Sequence, residues 1–165
     1  MTVDERERFQ ALLREGTNLL RQRRATDAMP LLEEAHRLDP AVPDAALNLS
    51  GAYIMAGQFK KAVPILEELR EREPDNAMVW TNLGAAYLGN PILATTEQQM
   101  RAITAFKQAL ALDPSAPSVA YNLGLIYRDR QELENARHWF RRAVRTNPRD
   151  QHARSLLKRL ESDEN

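Results

Sequence analysis

Cysteine is absent from this chain of 165 residues. That excludes disulfides, thiolate metal sites and a cysteine nucleophile. Glycine is scarce, at six residues, and there are four Phe and four Tyr. Ala, Leu, Glu and Arg abound instead, a balance that favours helix over strand. No apolar run approaches membrane-spanning length. The start of the chain, Met1 to Arg8, is charged and has no apolar centre, so it does not read as a secretory signal. A soluble protein of the cytoplasm is expected. Catalytic signatures are missing as well. His36, His138 and His152 form no HxxxH or HxxE pairing, and no Gly-rich phosphate loop or nucleophile elbow occurs. The chain reads as non-enzymatic, with no cofactor and no metal.

Net charge is zero, yet it is unevenly spread. Residues 1–116 carry 13 basic and 16 acidic side chains, a net −3. Residues 117–160 carry 10 and 4, a net +6, mostly arginine. Arg137, Arg141 and Arg145 share one face of an expected helix at i, i+4 spacing, with Arg142 beside them. A solvated outer face accounts for this stripe better than a nucleic-acid surface. Overall charge is neutral, and Trp139 alone interrupts the stripe with an aromatic.

What is present is periodic. Proline recurs at Pro40, Pro74, Pro114 and Pro148, at spacings of 34, 40 and 34. Each follows Asp39, Glu73, Asp113 or Asn147. Proline cannot continue a helix, so these are four matching helix stops. Between them, Leu, Ala and aromatic residues fall at helical spacing. Four units follow: 9–42, 43–76, 77–116 and 117–150, after an extension over 1–8. Asp150 is expected to cap a last helix over 151–161, and 162–165 to be a disordered tail. The third unit has six extra residues between its helices. Gly89, Asn90 and Pro91 should end its first helix, and Thr96 with Gln99 should open the second as a capping box. The insertion then reads as a longer surface loop. Pro117 fits a first helical position, while Pro30 and Pro64 are tolerated near a first turn. If those two helices start earlier, each proline sits where it would kink them.

The stretch Trp80-Thr81-Asn82-Leu83-Gly84-Ala85-Ala86-Tyr87 reads W-x₂-L-G-x₂-Y. Ala102, Phe106 and Pro114 follow it. With this signature the chain resembles the tetratricopeptide repeat family, helix–turn–helix units that stack. The resemblance covers nearly the whole sequence. It implies an all-α, right-handed superhelical solenoid of four repeats with a C-terminal capping helix. Small residues at Gly16, Ser50, Gly84 and Gly124 would let paired helices approach. Trp80, Tyr87 and Phe106 would fill the space between repeats. On that reading Trp80→Ala costs roughly 3–5 kcal/mol, as for a large buried aromatic.

The family fold implies that the first helix of each repeat lines a concave groove. Counting by repeat position puts Gln10, Leu13, Arg14 and Thr17 there, then Asp44, Leu47, Asn48 and Gly51. Met78, Thr81, Asn82 and Ala85 follow, then Ser118, Tyr121, Asn122 and Leu125, with Met55, Leu88 and Arg128 a turn further on. Asparagine recurs at one position in three successive repeats: Asn48, Asn82 and Asn122. An amide side chain both donates and accepts, so it can pair with both groups of a peptide unit. The row is similar to tetratricopeptide superhelices that hold extended peptides by asparagines. The bland account is that Asn is common at this position. A carboxylate clamp, which another subfamily uses, fails here: Leu13, Thr17, Met78 and Asn82 stand at its positions.

The expected role is therefore an interaction module for a protein or peptide partner. Asn48, Asn82 and Asn122 would engage backbone, Leu47, Met78, Tyr121 and Leu125 would give apolar contacts, and Arg128 would meet an acidic group. The alternatives are self-association as a homo-oligomeric scaffold and docking through the basic C-terminal end. Ile92 and Leu93 of the inserted loop either fold over a ligand or pack on repeats 2 and 3. Apolar loop residues more often dock on their own protein.

Overall fold

A computed structural model describes residues 2–162. Among them, nine helices and no strands occur. They run α1 (Val3–Arg21), α2 (Ala25–Leu38), α3 (Pro43–Met55), α4 (Phe59–Arg72), α5 (Ala77–Leu88), α6 (Thr96–Leu112), α7 (Val119–Asp129), α8 (Leu133–Thr146) and α9 (Gln151–Ser162). Helices pair as α1/α2, α3/α4, α5/α6 and α7/α8, and each pair packs on the next. The result is an all-α right-handed solenoid closed by α9.

Local chemistry sets many of the helix ends. Thr2 and Glu5 form a capping box at α1, so residues 3–8, read as an extension, are the first turns of a helix. A second box opens α6, but it is Thr95 with Gln98, one residue before the expected pair. Two overlapping Thr-x-x-Gln frames exist in the sequence, Thr95 with Gln98 and Thr96 with Gln99, and the first forms the box. Asn76 caps α5 by accepting from Met78 N at 3.0 Å. Asp150 caps α9 by accepting from Ala153 N at 3.0 Å. Ser162 belongs to α9, while 163–165 lie outside the described residues.

The prolines behave differently from one another. Pro43 opens α3. Pro117, at the matching place in repeat 4, does not open α7: Ser118 turns left-handed at φ 61° and the helix starts at Val119. Pro30 and Pro64 are each the sixth residue of their helices, beyond the first turn. Both are exposed, so the carbonyl each leaves unbonded lies on the solvent side. The six extra residues of repeat 3 are not all loop. The α5–α6 connection spans 89–95 against three residues in the other pairs, and α6 has 17 residues where α2, α4 and α8 have 14.

The core follows from one glycine-and-aromatic contact repeated along the array. A Cβ on Gly84 would lie 2.6 Å from the Phe106 ring, and one on Gly124 would lie 2.7 Å from Phe140. Both rings are fully buried. The helices of a pair are thus as close as an aromatic lying on bare backbone allows. Trp80 corrects the expectation placed on it. It is half-buried at the rim of the core, and its Nε1 donates to Pro74 O at 2.7 Å.

Between repeats a second device recurs. Tyr53 donates to Glu33 Oε1 at 2.6 Å, and Tyr87 to Glu67 Oε1 at 2.8 Å, each reaching back one repeat. In repeat 4 the acceptor's place is taken by Lys107, whose Nζ lies 5.7 Å over the Tyr127 ring. Burial first, then the bond to Glu33, pushes the Tyr53 phenol up to about 12. Tyr87 is raised for the same two reasons. The unfolded phenol ionises near 10 while the folded one resists to about 12, so this stability is full below pH 10 and is lost as pH rises through 12. Urea midpoints from pH 9 to 11.5 should fall more steeply for the parent than for Tyr53→Phe. Parallel curves would mean that the phenol is not linked to folding.

Candidate functional site

The first helices of the pairs line the inner face: α1 packs on α3 and α3 on α5, while α7 joins the array through α6 and α8. Side chains one turn apart on each helix point along it. Leu13, Thr17, Leu47, Thr81, Ala85, Tyr121, Leu125 and the three asparagines are half-buried, and Met78 and Met55 are half-exposed. Gln10, Arg14, Asp44 and Ser118 are exposed. Leu88 departs from the expected set: it is buried in the core.

The asparagines are not equivalent. Asn48 Nδ2 donates to Thr17 Oγ1 at 2.9 Å, and Thr17 in turn donates to Leu13 O at 2.6 Å. Gly51 and Ala85 stand at the matching places beside Asn82 and Asn122. A Cβ on Gly51 would sit 3.9 Å from Asn82 Nδ2, with no hydroxyl to accept from it. Asn82 and Asn122 make no side-chain hydrogen bond among the described residues, whereas Asn48 is tied into its neighbour. The missing hydroxyl follows from residue identity at one repeat position, so the sequence carried the signal. Arg128 pairs with its chain neighbour Asp129, at 2.6 Å and 3.0 Å.

The basic stripe of α8 is not simply a solvated face. Arg137 is 5% exposed and its Nη1 donates to Leu160 O at 3.0 Å, on α9. Arg141 reaches Glu161 at 2.9 Å, also on α9, and Arg142 donates to Pro114 O at 3.2 Å. Arg145 is exposed. Two of these arginines, Arg137 and Arg141, thus fasten α8 to α9. An i, i+4 spacing reports a shared face and is silent on whether a neighbour covers it.

The inserted loop projects outward. Ile92 is 91% exposed and Leu93 76% exposed. Leu93 borders a shallow cleft with Phe59, Val63 and Arg101, on repeats 2 and 3. Ile92 does not dock on the protein's own surface, contrary to the general expectation for apolar loop residues. Among the described residues no cluster of three His, Asp or Glu side chains can hold a metal ion, and no helix is long and apolar enough to cross a membrane.

Two models of the tetratricopeptide repeat match the chain, over residues 19–86 and 96–151. The chain belongs to the tetratricopeptide repeat family. Among curated proteins it is 28% identical over 123 residues to the general transcriptional corepressor ssn6 of Schizosaccharomyces pombe, covering 73% of this chain and 11% of that protein. It is 30% identical over 94 residues to the peroxisomal targeting signal receptor of Kluyveromyces lactis, covering 57% of this chain and 16% of that one. The chain therefore spans under a fifth of either relative. Among solved structures it matches a thermophilic tetratricopeptide protein, TTC0263 of Thermus thermophilus, with TM-score 0.79 at 23% identity, over 94% of this chain and 82% of that one. It also matches pilF of Pseudomonas aeruginosa, with TM-score 0.79 at 21% identity, over 98% and 71%. MamA of Desulfovibrio magneticus gives TM-score 0.72 at 22% identity, over 87% and 77%. These likenesses concern the fold.

Proposed function

We propose that the protein is a non-catalytic interaction module that holds an extended peptide along its inner face. Asn82 and Asn122 carry the reading. They recur at one repeat position, stand half-buried on the inner face, and have donor and acceptor both unspent. Each can pair with the N–H and C=O of one peptide unit, which gives affinity that tolerates sequence. Met78, Leu47, Tyr121 and Leu125 flank them with apolar surface. Asn48 plays a smaller part, because its amide already donates to Thr17. The matched receptor is named for a targeting signal and the corepressor for transcription, and both names suit scaffolds that engage other proteins.

The test uses peptides selected from a random display library against the parent. Asn82→Ala/Asn122→Ala should weaken their binding at least tenfold, about 1.4 kcal/mol. Asn48→Ala should weaken it less. Unchanged affinity in the double variant, with an unaltered melt, would remove the asparagines from recognition.

A further inference from the structure

Trp80 fills a site that repeats 2 and 3 close in different ways. In repeat 3 its indole lies against the preceding repeat, with Nε1 on Pro74 O and the Arg70 guanidinium 5.7 Å from the ring. Repeat 2 has Ala46 at the same repeat position. There Arg72, from the end of α4, donates instead to Pro40 O at 3.0 Å and to Ala41 O. Pro40, Pro74 and Pro114 are one repeat position, so indole and guanidinium reach the same carbonyl in two ways.

Repeat 4 has neither filler at these positions, although Arg142, elsewhere on α8, reaches the equivalent carbonyl. Ala120 stands at the place of Trp80, and Thr146 at that of Arg72. An open cleft of about 260 Å³ lies there, with Ala116, Ala120, Ala143, Leu110, Pro114 and Tyr121 as its apolar lining and Thr146, Ser115, Ser118, Asn147 and Asp150 as its polar lining. Leu110 and Pro114 match Arg70 and Pro74, the two residues that hold the indole in repeat 3. For scale, an enclosed apolar cavity of about 150 Å³ takes up benzene, and this open, mixed cleft is larger. Pro114 O accepts from Arg142 at 3.2 Å, and a carbonyl keeps a second lone pair for an N–H donor.

We propose that this cleft is a binding site for an aromatic side chain, an indole above all, supplied in trans by a partner peptide. The repeat-3 indole is its pattern, at the same repeat position and beside the same proline carbonyl, with the Leu110 side chain as an apolar wall where repeat 3 has the Arg70 guanidinium. Tyr121 borders both the cleft and the inner face, so a peptide lying along that face can place a ring in it. The delivery of the ring by such a peptide rests on the proposed function above. The site itself rests on the cleft.

The test uses the full chain labelled at alanine methyls, titrated with N-acetyl-tryptophanamide and, separately, N-acetyl-leucinamide. Saturable shifts are expected at Ala116, Ala120 and Ala143 with the indole probe, and at least tenfold weaker ones with leucinamide. Ala120→Trp should fill the site in cis and abolish them. Thr146→Arg, copying Arg72, should do the same from the other side and covers the case in which Ala120→Trp does not fold. No saturable shift, equal response to leucinamide, or shifts that persist in a folded filled variant would each overturn the proposal. Asn82→Ala/Asn122→Ala should keep the indole response. Failure of the asparagine reading and failure of this site are thus seen separately.

Discussion

Phe106→Ala should lower the unfolding free energy by about 3–5 kcal/mol, the loss typical of truncating a buried aromatic. Trp80→Ala should cost less, about 1–2 kcal/mol, because part of the side chain already faces water. The order is the reverse of what the repeat signature suggests, since Trp80 is its first letter. The reason is where each ring sits. Phe106 is fully buried and lies on the bare backbone of Gly84, so its removal leaves a hole that rigid helices cannot close. Trp80 lies at the rim, tied by one bond to Pro74 O. Urea unfolding of the two variants beside the parent checks the ranking. Equal losses would mean that the indole carries core packing that its exposure conceals.

Gly124→Ala should destabilise the protein by about 1–3 kcal/mol through overpacking. Helix propensity by itself points the other way, favouring alanine by about 1 kcal/mol. Geometry decides the sign. The added Cβ would sit 2.7 Å from two atoms of the Phe140 ring, which is fully buried and cannot swing aside. A smaller partner relieves the clash only where the helix pair can stand apart, since a Cβ on Gly16 would still lie 2.6 Å from the Leu32 side chain. Repeat 2 shows the combination: Ser50 and Leu66 occupy the places of Gly124 and Phe140, and both are fully buried. Phe140→Leu should therefore cost less in the Gly124→Ala background than in the parent, with a coupling of about 0.5–3 kcal/mol. Strictly additive losses would place the strain elsewhere.

The array of paired helices was legible because its cause is local and repeated. Apolar residues at helical spacing, small residues at one crossing position and helix-stopping prolines every 34 or 40 residues all point to one architecture. Exact helix starts were less legible. Thr95 rather than Thr96 opens α6, and Pro117 stands outside α7 although Pro43, in a nearly identical stretch, opens α3. Both alternatives satisfy the local rules, so local rules by themselves do not choose between them. The basic stripe shows the same limit. Its spacing gave one face, and only the placing of α9 revealed Arg137 as a buried link to Leu160.

By itself, then, the sequence determined the family, the helical pairs and the recurrence of asparagine on the inner face. These are consequences of residue type and period. The tertiary structure decided which members of each repeated set are spent. Asn48 is tied to Thr17 while Asn82 and Asn122 are not, Phe106 rather than Trp80 holds the core, and a pocket opens at Ala120 where Trp80 and Arg72 close its counterparts. Each of those outcomes depends on what a neighbouring repeat presents, and a neighbour in space is a property of the fold.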